Sequence, residues 1–490
     1  MENGHSKDLQ TPDIDKSLGL FGLIGMVVGI TLATGVWSIA GDFPAKGAYS
    51  GAVIIGWLIC GIGMYGLMNC FVGLSYVKPK LTGGIFTFAQ AGFGDYVGFN
   101  SAWGYWVCSC LSQVAVVALL LSTLSQYFPI FGNGSNLFSI IFGSLLLWFY
   151  TWITAHGVRE AATLNLLVAI VKSIPLLMVV ILPVILAKFH LSYFMANFWG
   201  DGTNSLLTQV KGTSTITLWV FAGIEAAIAV SGRAKKMSDV GRATSLGFAG
   251  ILALYVLITT LSMGVLPHDT LAKLPNPSVG GVMTELIGPI GGGIVTVAVI
   301  ISTLGALLAV TIVCAEVANN AAKHGSFCNI FKKENKHGSP INALIISMVV
   351  IQVFMIIMYF NKSTYQIFYT ITANMVMMPY LLSAIYYLMV TIKGDGFENY
   401  APSGGKLNFQ RGLAVLGVIY SLWLIYASGL TGLLITTLLY APGTIVYLIG
   451  KKEQNKPGFA HWYDWAVLAI ILIGGIASLI LILTGIINPF

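Results

Sequence analysis

Charge is the first thing this sequence is short of. Asp, Glu, Lys and Arg make up 9% of its 490 residues, where a soluble domain carries about 25%. That excludes an ordinary water-soluble multidomain protein. Cysteine is also sparse. Cys60, Cys70, Cys108, Cys110, Cys314 and Cys328 show neither metal-ligand spacing nor a secreted disulfide pattern. Cys108 and Cys110 are two apart and point to different faces of a helix, so they read as small packing residues. No metal and no cofactor is expected. The polar stretch Met1 to Lys16 has no charged n-region followed by a cleavage site, which argues against a signal peptide. Residues 1–17 read instead as a short cytoplasmic tail.

What the sequence does have is apolar length: 56% of it is hydrophobic. Roughly thirteen runs meet or approach the ~20 residues that span a bilayer. They lie near 18–40, 51–76, 97–128, 137–155, 161–187, 207–231, 244–266, 290–321, 341–360, 364–391, 411–428, 431–450 and 463–487. The eleventh and twelfth are divided only by Ala427-Ser428-Gly429. Nineteen of the 25 Lys and Arg fall in segments on the N-terminal side of this arrangement, and five (Lys46, Lys188, Lys211, Lys273, Lys362) fall on the other. Positive residues favour the cytoplasmic side, so the N-terminus is expected inside, and an odd number of spans puts the C-terminus outside. The same asymmetry accounts for the net charge of +7, with no need of a nucleic acid partner; the partner implied is the lipid bilayer. The segment 79–90 is amphipathic and too short to span, and reads as a cytoplasmic interfacial helix. The Pro- and Gly-rich loop 266–289 is expected outside, with room for a short helix.

Two runs are interrupted at comparable places. The first carries Gly29-Ile30-Thr31-Leu32-Ala33-Thr34-Gly35 in mid-span, and the sixth carries Trp219-Val220-Phe221-Ala222-Gly223-Ile224-Glu225. Non-helical backbone at membrane depth is tolerated only where it lines a cavity or is buried in protein. Paired interruptions point to a secondary transporter's binding site. Exposed N–H groups near Thr34, Gly35 and Val36 suit a carboxylate, with hydroxyls from Thr31 and Thr34 beside them. Released carbonyls at Leu32, Trp219 and Ala222 suit an ammonium. The same Gly and Thr residues also suit close helix packing. Trp219 can cover a cation through its ring face, or serve as an ordinary interface Trp. Tyr105, Ser109 and Gln113 share one face of the third run, which lines a cavity or packs on a neighbour. Lys172, Glu225 and Glu316 lie within spans, where a charge costs about 2.5–3.5 kcal/mol on insertion scales. Glu225 could hold a proton, bind water or buttress the interruption. Glu316 could draw in a cationic substrate from the cytoplasm or be a solvated helix-end carboxylate.

Three stretches carry a family likeness: Gly29 to Gly35 followed by Val36-Trp37; Gly83-Gly84-Ile85-Phe86 leading to Ala91-Gly92-Phe93-Gly94 and Gly98-Phe99-Asn100-Ser101-Ala102-Trp103-Gly104-Tyr105-Trp106; and Cys314-Ala315-Glu316 through Ala321-Ala322-Lys323-His324-Gly325. In this order they resemble the amino acid–polyamine–organocation transporters, and most of all the basic amino acid/polyamine antiporter branch. The resemblance implies an all-α integral membrane protein with two inverted five-helix repeats, broken helices 1 and 6, and 12–13 transmembrane helices. The transport core would be residues 18–392, with trailing helices over 411–490. The last of these is more like the arginine–ornithine than the arginine–agmatine exchangers. It implies that Trp219 covers the substrate and that Ser109 and Gln113 touch it. Lys172 resembles a position where sodium-driven members bind an ion and some sodium-independent members place a lysine. Val310 stands where the arginine–agmatine exchangers stack a Trp. That departure leaves room for an imidazole or a shorter amine in a pocket also lined by Tyr369 and Asn374. The expected function is sodium-independent exchange, at the plasma membrane, of a basic amino acid for its cationic metabolite. Histidine with histamine comes first and arginine with ornithine second. Such exchange, coupled to decarboxylation, would export charge and resist acid. A proton-coupled symporter, or a sensor or channel, are the alternatives. A homodimer is left open.

Overall fold

The computed structural model describes residues 19–81, 85–157, 162–225, 235–361, 364–398, 400 and 403–487. The tail 1–17, Gly83-Gly84, the end of the sixth run, Arg159, Arg233 and Lys362 lie outside them. In lipid the backbone must satisfy its own polar groups, so apolar runs become helices. In chain order these are α1 Leu20–Thr31, α2 Ile39–Ala45, α3 Ser50–Val77, α4 Ile85–Phe93, α5 Asp95–Ser125, α6 Leu137–Ala155, α7 Ala162–Ile185, α8 Leu191–Met195, α9 Leu206–Phe221, α10 Met237–Val265, α11 His268–Ala272, α12 Ser278–Ile287, α13 Pro289–Lys323, α14 Ile341–Asn361, α15 Tyr365–Lys393, α16 Gly404–Glu453 and α17 Trp462–Leu483.

Ten of these helices are long and apolar enough to cross a membrane. The first span is split between α1 and α2, and the sixth helix, α9, stops at Phe221, so the expected all-α fold with broken first and sixth helices holds. α16 has 50 residues, about twice the length of one span. It bends at Gly429 (φ 71°, ψ 172°), a conformation natural only to glycine, and the eleventh and twelfth spans divide there.

Two local expectations change. The stretch read as an interfacial helix is α4, whose residues Ile85 to Ala89 are buried. Its apolar face meets α5 and α15 rather than lipid headgroups. The loop 266–289 holds two short helices, α11 and α12. Ser278 at the start of α12 accepts from Gly41 N–H (2.9 Å) and donates to the Ser38 carbonyl (2.7 Å), which fastens α12 to the second half of the first span. α5 and α15 run through the interior, while Trp148 on α6, Ile181 on α7 and Ile473 on α17 face outward, as suits side chains in contact with acyl chains. The end of α16 is anchored to the start of α5, where Lys451 pairs with Asp95, and α17 is anchored to the end of α4, where the Tyr463 hydroxyl donates to the Phe93 carbonyl at 3.2 Å.

Candidate substrate site

The helix of the first span runs out at Leu32, whose N–H still reaches the Val28 carbonyl at 3.0 Å. A 3-10 turn restarts the helix over Gly35–Trp37. A restarted helix leaves its first N–H groups without intrahelical partners. Among the described residues, no acceptor is found for the N–H groups of Thr34, Gly35 and Val36. N–H groups so placed are able to receive an anion, the role the sequence led us to expect of them.

The carbonyls released by the same break are met by side chains from three other helices. Ser302 on α13 donates to Ala33 (2.7 Å), Lys172 on α7 donates to Gly29 (2.5 Å), and the Tyr255 hydroxyl on α10 lies 3.0 Å from the Thr31 carbonyl. The same hydroxyl lies 3.0 Å from the Val220 carbonyl, so one side chain spans both breaks. Buried backbone groups are nearly always paired, and here the pairing gathers four elements around the interruption.

The second break is a tight reversal. Ala222 leaves the helix at ψ 129° and Gly223 turns back at φ 98°. The Ala222 N–H folds onto the Trp219 carbonyl at 3.1 Å, which leaves that oxygen one lone pair for a further donor. The reversal brings α9 against the first break. A Cβ built on Gly35 would lie 2.7 Å from Val220 Cγ1 and 3.0 Å from Trp219 Cδ1. Trp219 is buried, stacked on Tyr369 at 6.0 Å and 16°, and its indole N–H donates to the Tyr365 hydroxyl at 2.8 Å.

Glu225 is held from three directions. One oxygen accepts from the Tyr105 hydroxyl (2.9 Å), and the other accepts from the Tyr380 hydroxyl (3.0 Å) and the Gly223 N–H (3.1 Å). Of its three expected roles, the contacts favour buttressing the break. Tyr105 is thereby aimed at Glu225. Ser109 donates to the Tyr105 carbonyl (2.9 Å), and the Gln113 carbonyl oxygen accepts from Thr311 on α13 (2.8 Å). Asn374 lies against α16, where a Cβ on Gly432 would meet its amide nitrogen at 2.8 Å, and its buried side-chain oxygen has no partner among the described residues. Val310 is half-buried and Glu316 exposed on α13.

The sequence reading missed Asp42, Tyr255, Ser302 and Tyr365. Asp42 was missed because the first span extends to Ala45, beyond the apolar run that was counted. It is a fourth charged group inside a span, buried, with Ser38 donating to it at 2.6 Å.

The family model for amino acid permeases matches residues 18–439. The chain belongs to the amino acid permease family. This permease is 39% identical to an arginine/ornithine antiporter of Pseudomonas aeruginosa over 472 residues, 94% of this chain and 96% of that one. It is 37% identical to an arginine/agmatine antiporter of Chlamydia pneumoniae, with 96% and 98% of the chains covered. It is 35% identical to a putative arginine/ornithine antiporter of Escherichia coli, with 95% and 99% covered. The permease is a multi-pass membrane protein, a transporter rather than an enzyme. Among the described residues, no three His, Cys, Asp or Glu side chains group into a metal site.

Proposed function

We propose that this permease exchanges a basic amino acid for its cationic metabolite across the plasma membrane, with its N-terminus in the cytoplasm. The observation that carries this reading is the meeting of the two breaks: N–H groups at Thr34 to Val36 that have no acceptor among the described residues, beside the Trp219–Tyr369 stack. The first can hold an α-carboxylate, and the second can attract a cation for about 0.5–2 kcal/mol. Arginine with ornithine becomes the leading pair, ahead of histidine with histamine, because several relatives aligned over nearly the full chain are named as arginine exchangers. Residues 18–392 act as the transport core and 411–490 as its support.

Exchange is sodium-independent in this reading because the Lys172 ammonium already sits on the Gly29 carbonyl beside the break. A resident cation there leaves no need for a transported one. The test is counterflow in proteoliposomes preloaded with ornithine, agmatine, histamine or nothing. Arginine uptake that depends on internal ornithine and persists in choline supports the proposal. Uptake that follows an imposed proton gradient with no internal amine would make the protein a symporter. Strict dependence on histamine would return histidine to first place.

A further inference from the structure

We propose that Asp42 reads the distal positive charge of the substrate. The inference rests on the exchanger reading above and adds to it the residue that selects a basic side chain. Asp42 is 2% exposed on α2, seven residues beyond Gly35. At ~1.5 Å per residue along a helix axis, that is about 10 Å. An extended arginine spans a similar distance from its carboxylate to its guanidinium.

Among the described residues, neutral groups hold the Asp42 carboxylate, with the Tyr369 hydroxyl also facing it. Ser38 Oγ donates to one oxygen at 2.6 Å, and Gln366 Nε2 donates to the other at 3.3 Å, long for such a bond. The ion pairs found among the described residues join His268 to Asp269, Lys323 to Glu334, Lys451 to Asp95 and His461 to Asp464, and none involves Asp42. The nearby charged or titratable side chains are the exposed Lys46 and the buried Tyr365 and Tyr369. Glu225, by contrast, has three donors at 2.9–3.1 Å. A carboxylate buried without a cation is costly. It suits a site whose counter-charge arrives with the ligand.

Two further observations point the same way. Among the described residues, the fully buried Tyr369 hydroxyl faces Asp42 without a hydrogen bond of good geometry, and its ring is stacked with Trp219. Among the same residues, the Thr31 hydroxyl, 3% exposed at the break, has no partner. Unfilled polar atoms therefore accompany the aromatic pair. A cavity of about 220 Å³ then adjoins this layer, lined by Asn133, Asn276, Tyr365 and Gln366 among others. Gln366 both lines the cavity and donates to Asp42, and Tyr365 both lines it and accepts from Trp219. A cation in the cavity is one side chain away from the carboxylate. On entry, its N–H groups replace the long Gln366 bond.

The test compares arginine with citrulline, its neutral near-isostere, in counterflow by reconstituted full-length protein. Wild type is expected to favour arginine. Asp42→Asn is expected to shrink the arginine/citrulline preference by at least about tenfold, equivalent to about 1.4 kcal/mol, and Asp42→Glu to restore part of it. Parallel loss of both substrates would make Asp42 structural. A changed pH profile with the preference intact would make it a proton carrier. Either result overturns the proposal, as does an unchanged preference. Should Asp42→Asn fail to insert, Gln366→Leu removes the neutral partner and should raise the preference for arginine; no rise is likewise refuting. A wild type that moves no basic amino acid at all refutes the exchanger reading itself, a result visible before any variant is made.

Discussion

Gly35→Ala adds one methyl group where the two breaks touch. Its carbon would stand 2.7 Å from Val220 Cγ1 and 3.0 Å from Trp219 Cδ1, whereas carbon atoms prefer roughly 3.5–4.0 Å. The last turn of α9 must therefore retreat by about an ångström. It is not free to do so, because the Val220 carbonyl is held by Tyr255 and the Trp219 indole by Tyr365. Overpacking of this kind costs about 1–3 kcal/mol. At about 1.4 kcal/mol per decade, substrate affinity should fall roughly five- to 140-fold. The strain falls where the breaks meet, so the melting temperature should fall with the affinity while membrane insertion changes little, and Gly35→Leu should abolish binding while still inserting. Calorimetric titration of purified protein reads the effect. Val220→Ala removes the closest clashing atom, and the double variant should recover much of the lost affinity, a coupling that a double-mutant cycle isolates. Wild-type affinity in Gly35→Ala, or additive losses in the double variant, would refute the proposed contact between the breaks as the seat of binding.

Trp219→Ala should weaken a cationic substrate more than Trp219→Phe, since Phe keeps a ring face; Tyr365→Phe should reproduce the smaller loss, because it touches the same hydrogen bond, and counterflow half-saturation checks the ranking. Lys172→Ala should cut exchange sharply and Lys172→Arg should rescue it only in part, as a guanidinium is larger and cannot shed its proton; full activity in the alanine variant, or a sodium requirement in wild type, counts against the resident cation. Tyr380→Phe deletes one of three donors to Glu225, a buried bond to a charged group worth about 1.5–3 kcal/mol, so the thermal midpoint of purified protein should drop, and an unchanged midpoint would contradict the buttress.

The positions of the breaks were legible because small residues interrupting a long apolar run leave a compositional mark. The division of α16 was legible at Gly429 for the same reason. The partners of the breaks were not. Tyr255 and Ser302 act on backbone carbonyls, and backbone carbonyls look alike in any sequence. Tyr255 lies 224 residues from Thr31 and 35 from Val220, and no periodicity links them. Asp42 was hidden by its surroundings: Gly41-Asp42-Phe43-Pro44 reads as the start of a loop, yet the helix continues through Pro44 to Ala45. Amphipathicity misled at α4, because an apolar stripe looks the same whether protein or headgroups cover it.

Tyr255 carries one hydroxyl hydrogen and stands equidistant, at 3.0 Å, from two carbonyls. It can satisfy only one at full strength, so Thr31 and Val220 compete for a single proton. The loser becomes the stronger acceptor for anything cationic that arrives. A cation placed against one of these carbonyls would push the hydrogen toward the other, within a single bond rotation. A proton shared in this way would work as a tally between the two breaks.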